Sequence, residues 1–422
     1  MRPVRTSCFL VLWAGLALSC TEPGPASPSA APARALDAGR SSAAEPASVA
    51  VPAPTTQAAA PSETPSAPAA AWTRMRGAAP EPRACVVTAQ GLSRAGAARA
   101  VLGQDGMLVL PEGEARFEWW SEAGAQGARK LSELALASVP KRAAVSALGE
   151  ARFVVWVDER AQLQLVSWAG GEFGAPRVLA EGVDRRFTPA LGAQGGLLLL
   201  AFTRSVGEAM HVMLARVEGQ RSSVEDLTPP GHGASAPTFV AGTAPLSLVM
   251  VDAHAGVSPL LELPFDASGH VQPAIVRTPV SQPYAPPALA AARLSARRTV
   301  VAFTAIGRVA ATAIGLVPLE SAEAPVALVP SEGYGELALA VAHQPELAVF
   351  AVEAFRGSAK DAARKVLVGV VDAAGPGALL ALGLEDASAS APSLRANAQR
   401  GEFSLAYATP KGIQRVELAC RP

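Results

Sequence analysis

Three carboxylates invite a chemical reading. Asp158, Asp252 and Glu353 each close or follow a short apolar run, in "ARFVVWVDE", "LSLVMVDAH" and "LAVFAVEAF". A pair of carboxylates flanking a glycosidic bond supplies an acid and a base or nucleophile, so their convergence on one rim would make a carbohydrate hydrolase or lyase. Asp252 and His254 are two residues apart, which puts both on one face of a strand end. A metal or acid/base role for that pair competes with a plainer one, a turn in which each bonds its own backbone. Arg185, Arg186 and Arg204, with Tyr284 and Tyr334, offer guanidinium forks and aromatic faces suited to an anionic or sugar-like ligand.

Other chemistry is harder to find. The sequence has no Gly-x-Ser-x-Gly, no Gly-x-x-x-x-Gly-Lys and no His-Glu-x-x-His. Its five histidines are scattered, without the i+4 partner of a helical zinc site, and its four cysteines are too few for a thiolate site. These residues imply no metal and no cofactor, and they point away from an enzyme.

The elements that must position these residues are short. Apolar runs of five to eight residues, rich in Val, Leu and Phe, alternate with turn clusters from about Arg83 onward. They are too short for helices and predict strands. Only "GARKLSELALA" (127–137) predicts a helix. A Pro-Ala-Leu-like motif opens successive units at Pro189, Pro237, Pro287 and Pro392, with gaps of 48, 50 and 105 residues, the last spanning two units. A second strand in each unit carries a large residue near its end: Trp156, Phe202, Met250, Phe303, Phe350 and Tyr407.

A repeat near 48 residues with about four strands describes a β-propeller blade. The all-β span 83–422 divides into seven such blades, with six as the alternative because residues 95–138 are poorly patterned. The channel-facing loops of such a ring would carry Arg185, Arg186, Arg204, Asp252, His254, Tyr284 and Tyr334, the candidate binding rim. Trp119 and Trp120 are adjacent, so they face opposite ways on a strand, which leaves room for one to be exposed; packing between blades is expected, with contact to a partner as the alternative.

The last unit shows only three strands. "CVVTAQG", near the start of the folded span, is the candidate fourth, and it would lie beside the strand carrying Cys420. A Cys85–Cys420 disulfide is therefore expected to latch the ring. By chain entropy alone, closing so long a loop is worth up to roughly 5–6 kcal/mol.

Lys+Arg and Asp+Glu are equal at 36 each, so nothing in the charge points to nucleic acid. The N-terminus is distinct. Arg2 and Arg5 precede an apolar run, Cys8–Leu18, too short to span a membrane. The run ends Ala17-Leu18-Ser19-Cys20. This resembles the lipobox of bacterial lipoproteins, although Leu16 sits one place earlier than the usual pattern. The resemblance implies a signal peptide over 1–19 and a lipid anchor on Cys20, and Thr21, in place of Asp, implies the outer membrane. Plain secretion is the alternative.

Residues 20–80 are rich in Pro, Ala, Ser and Thr and nearly without aromatics, the composition of a disordered tether. The sequence thus describes a lipid-anchored envelope propeller that binds an envelope protein or a small anionic or sugar ligand. A carbohydrate-active enzyme and a passive envelope component are the competing readings.

Overall fold

In the computed structural model, the described residues are 84–421 apart from segments 122–127, 243–244, 254–257, 281–287, 296–297, 307–311, 319–325, 328–332, 344–345, 357–362, 373–374, 383–388 and 398–400. Cys20, the lipobox-like stretch and the Pro/Ala/Ser tract lie outside them, as do His254 and Tyr284. All regular structure among the described residues is strand or bridge.

The strands form seven antiparallel sheets, and six of these follow the chain in simple up-and-down order. Each is one blade. Blades 1 to 6 span 98–135, 140–181, 190–226, 233–280, 289–327 and 333–382; blade 2 carries a fifth, two-residue strand. Blade 7 takes three strands from 390–420 and its outermost strand, Cys85–Ala95, from the other end of the chain. The first strands of successive blades contact one another around a ring that returns from blade 7 to blade 1. This is a β-propeller.

Why apolar runs such as "GLLLLAF" rather than alternating ones? The second strand of each blade is buried on both faces, so both sets of alternate residues must be apolar. In blade 3, Leu198, Leu200 and Phe202 pack toward blade 2, whereas Leu199 and Ala201 pack toward blade 4. Each of the seven seams between neighbouring blades has its own apolar cluster. The large repeat residue near the end of the second strand fills the seam with the preceding blade in blades 2 to 7. Trp156 packs toward blade 1, Phe202 toward blade 2, Met250 toward blade 3 and Phe303 toward blade 4. Phe350 and Tyr407 continue the rule toward blades 5 and 6. All six are 1% exposed or less. Burying one such side chain contributes about 1.5–3 kcal/mol.

The helix expected over 127–137 is not there. Lys130–Ala135 is instead the outermost strand of blade 1, hydrogen-bonded to Arg116–Ser121. Only one face of an outermost strand needs to be covered, so a half-polar segment suffices, and pairing overrides the helical leaning of Leu, Glu and Ala. Trp119 stacks on Trp168 of blade 2 with ring centroids 5.0 Å apart, and Trp120 packs into the seam with blade 7, so both tryptophans lie between blades.

Closure follows the expected strand exchange. Cys85–Ala95 pairs antiparallel with Gly412–Cys420, and Cys85 stands directly opposite Cys420. Their sulfurs are bonded at 2.07 Å across 335 residues of sequence. Gly412 is required here, because a Cβ at that position would overlap the Arg94 carbonyl. Farther along the same strand, Arg94 Nε donates to Glu118 Oε2 of blade 1 at 2.9 Å and Arg94 Nη2 to Oε1 at 3.3 Å. Trp120 Nε1 donates to the same Oε2 at 2.8 Å. The side chains of Arg94 and Glu118 are 11% and 4% exposed, so this pair is sealed in the seam that closes the ring.

Candidate functional site

All seven blades contribute to one cavity of about 510 Å³ on the ring axis. It is lined by the early part of each first strand and the residues just before the first strand of blade 3, with Leu110, Glu353 and Phe355 from second strands and Arg364 from the third strand of blade 6. The Pro-Ala-Leu repeat motif lies here: Pro189, Pro237 and Pro392 all face the cavity. In blades 4 and 7 the inner strand is irregular at this point, and the residue before the proline, Ala236 or Ala391, takes a positive φ of 54° or 50°. A side chain from the preceding blade meets each of these alanines. Ala236 N–H donates to Thr203 Oγ1 and Ala391 N–H to Glu353 Oε2, both at 3.3 Å. In these two blades the motif turns the inner strand into the channel wall.

The lining carries five cations, Arg99, Lys141, Arg142, Arg186 and Arg364, against two carboxylates, Glu336 and Glu353. Lys141 and Arg142 lie at an irregularity in the inner strand of blade 2, and Glu336 lies at the corresponding irregularity in blade 6. Arg99 of blade 1 donates from Nη1 to Glu336 Oε1 at 2.5 Å, and Arg142 Nη1 pairs with that same oxygen. Three blades thus meet at one carboxylate. Burial, then the nearby charge of Arg99, pushes the Arg142 guanidinium down to about 10, with Glu353 opposing; Arg142 stays cationic at neutral pH.

Glu353 is fixed more firmly. Arg364 Nη1 donates to its Oε1 at 2.6 Å, and its side chain is 6% exposed. Gly335 leaves room for this carboxylate, because a Cβ there would stand 2.7 Å from it and push the Glu353 side chain aside.

Of the rim residues named from sequence, Arg186 reaches the cavity. Its guanidinium is forked onto Asp184, with Nε–Oδ1 at 3.0 Å and Nη2–Oδ2 at 2.5 Å, and lies 5.8 Å from the Phe187 ring centroid. Burial of Asp184 works against its charge, but the hydrogen bonds and charge of Arg186 outweigh it and hold the carboxyl below its usual range. Arg185 instead donates to the Glu159 carbonyl of blade 2 at 3.0 Å, and Arg204 is exposed at the end of its strand, bridged through its backbone to Val183. Tyr334 lies near the start of the inner strand Gly333–His343.

Asp252 is buried and held by His232, whose Nδ1 lies 2.9 and 3.1 Å from its two oxygens. The other carboxylate named from sequence, Asp158, is also engaged within its own blade. It accepts from Gln164 Nε2 at 2.7 Å and from the backbone N–H groups of Arg160 and Gln162 at 2.9 Å each, and Ser138 Oγ also bonds it. Asp158, Asp252 and Glu353 are therefore three locally satisfied carboxylates in blades 2, 4 and 6.

The residues that dominate the cavity, Arg99, Lys141, Arg142, Glu336 and Arg364, were not singled out from sequence. A signal existed: "PKRAAV" and "GYGELALAV" place charges at the position where the other units have Pro-Ala-Leu.

No protein-family model matches the chain, and no curated protein matches it. Solved structures do. The lectin BP39L from Burkholderia pseudomallei aligns over 78% of this chain and 97% of its own, with a TM-score of 0.55 and 16% identity. The polysaccharide lyase Uly1 aligns over 79% and 99%, with a TM-score of 0.42 and 10% identity. AofleA from Arthrobotrys oligospora aligns over 66% and 83%, also with a TM-score of 0.42 and 10% identity. The likeness to the lectin is one of fold alone. The chain is thus a β-propeller protein with a cation-rich axial cavity.

Proposed function

We propose that this protein is a binding module of the bacterial cell envelope, held through a lipid on Cys20, whose axial cavity takes an anionic, sugar-like ligand. The observation that carries this reading is the excess of five lining cations over two carboxylates in a cavity of about 510 Å³. That volume falls in the range of small-molecule pockets. Arginine supplies four of the five cations, and its planar fork matches carboxylate, sulfate and phosphate oxygens. The fold shared with a lectin is compatible with a sugar ligand. Binding is favoured over cleavage because Asp158, Asp252 and Glu353 are each held by partners of their own, which leaves none of them disposed as a free acid or base.

Calorimetry of the full chain against a uronic-acid oligomer and a neutral oligosaccharide of equal length tests the ligand class. The acidic oligomer should bind, weaken with added salt and lose affinity in an Arg142→Ala variant. Equal binding of the neutral oligomer, unaffected by salt, would overturn the reading. Intact mass of the protein from its native membrane fraction tests the anchor. A mature chain that begins at an acylated Cys20 supports it, and an unmodified Met1 start removes it.

A further inference from the structure

The Glu336 carboxylate does not sit in the cavity in the same way as Glu353. Glu353 is buried between the Arg364 guanidinium and a backbone N–H of the next blade. Glu336 reaches toward the cations of blades 1 and 2, and both arginines converge on its one oxygen, Oε1. The three side chains keep different access to solvent: Arg99 is 48% exposed, Glu336 29% and Arg142 23%.

We infer that Arg99 and Arg142 form the subsite for a carboxylate on the ligand, and that Glu336 occupies this subsite until the ligand displaces it. This rests on the binding function proposed above and specifies its chemistry. Two guanidinium groups of different blades focused on one carboxylate oxygen make a receptor for that group, whichever molecule carries it. Exchange of one carboxylate for another keeps both arginines paired throughout. A neutral ligand that displaced Glu336 would leave partly desolvated cations without a counter-charge, a penalty that excludes it. Glu336 thereby acts as an internal competitor. It lowers the apparent affinity by the fraction of molecules in which it holds the arginines.

The test is calorimetric titration of the full chain with a uronic-acid oligomer, in the wild type and in Glu336→Gln, Glu336→Asp and Arg142→Ala variants, each checked by thermal melting. Glu336→Gln keeps the shape of the side chain and removes its charge. It should tighten binding on the order of tenfold, the gain expected when a competitor that holds most of the population is removed. Glu336→Asp, one carbon shorter, should gain less, and Arg142→Ala added to Glu336→Gln should cancel the gain. If Glu336→Gln and Glu336→Asp bind no tighter than wild type while Arg142→Ala loses binding, Glu336 is not a competitor and this inference falls, although the anionic binding site stands. If wild type and every variant fail to bind the acidic oligomer, the proposed function falls and the inference falls with it.

Discussion

Two arginine–glutamate clusters bind neighbouring parts of the ring, and they are built in opposite ways. At the closing seam, Glu118 receives hydrogen bonds from Arg94 and Trp120, and the charged side chains are 4% and 11% exposed. At the channel, Glu336 meets Arg99 and Arg142 with exposures from 23% to 48%. The first cluster ties the strand borrowed from the N-terminal side to blade 1. The second joins blades that the apolar seams already hold. A sealed pair has its partners fixed, and the loss of one leaves an uncompensated charge in a dry site. A partly exposed pair can exchange one anion for another, because its arginines stay paired throughout. Burial, not charge, separates the ion pair that maintains the fold from the one available for recognition.

The contrast makes quantitative demands. Glu118→Ala should destabilise the domain most, by about 3–5 kcal/mol, because Arg94 stays buried and loses its counter-charge. Chemical denaturation measures it, and a loss below about 1 kcal/mol would mean that the seam is not sealed in solution. Reduction of Cys85–Cys420, or Cys85→Ser with Cys420→Ser, should remove on the order of 2–5 kcal/mol. The effect should appear first as faster hydrogen exchange along Cys85–Ala95, and uniform exchange across all blades would contradict the latch.

Acid should act on the same seam. Burial raises the Glu118 carboxyl, but the hydrogen bonds of Arg94 and Trp120 and the charges of Arg94 and Arg116 outweigh it and hold the group below its ordinary 4.5. A lowered carboxyl stabilises the folded state fully above its unfolded value and loses that contribution as pH falls through the folded value. Melting temperature should therefore drop below about pH 4.5, and Glu118→Gln should show a shallower drop. At the channel, Glu336→Gln should change stability by less than about 1 kcal/mol in the same assay. A larger loss would place Glu336 with Glu118, as part of the fold.

Much of the architecture could be read from residues. Both faces of a second strand must be apolar when blades stack on both sides, so the runs stood out. A large residue near the end of each run marked the repeat, because that position fills the seam with the preceding blade. Cys85 and Cys420 were legible as partners because the last unit lacked a strand and the first segment of the folded span could supply it. The strand at Lys130–Ala135 was missed because an outermost strand carries only half the usual pattern, and its Leu, Glu and Ala also suit a helix. The channel charges were missed for another reason. Loops are where a propeller's binding residues are expected, but here the inner strands bend into the channel at their irregularities, so Arg142 and Glu336 are part of the strands themselves. Only the ring brings residues 99, 142 and 336 together.

The disulfide's place in the ladder has a mechanical consequence. A pull on the chain ahead of Ala84 enters the ring at Cys85, the first residue of the closing strand. Without a bond there, the load would peel that strand from its neighbour one rung at a time, the geometry in which a ladder resists least. With Cys85 joined to Cys420, the force passes through a covalent link into the opposite end of the chain. The rungs behind it, down to Ala95 and Gly412, carry no tension until that link breaks.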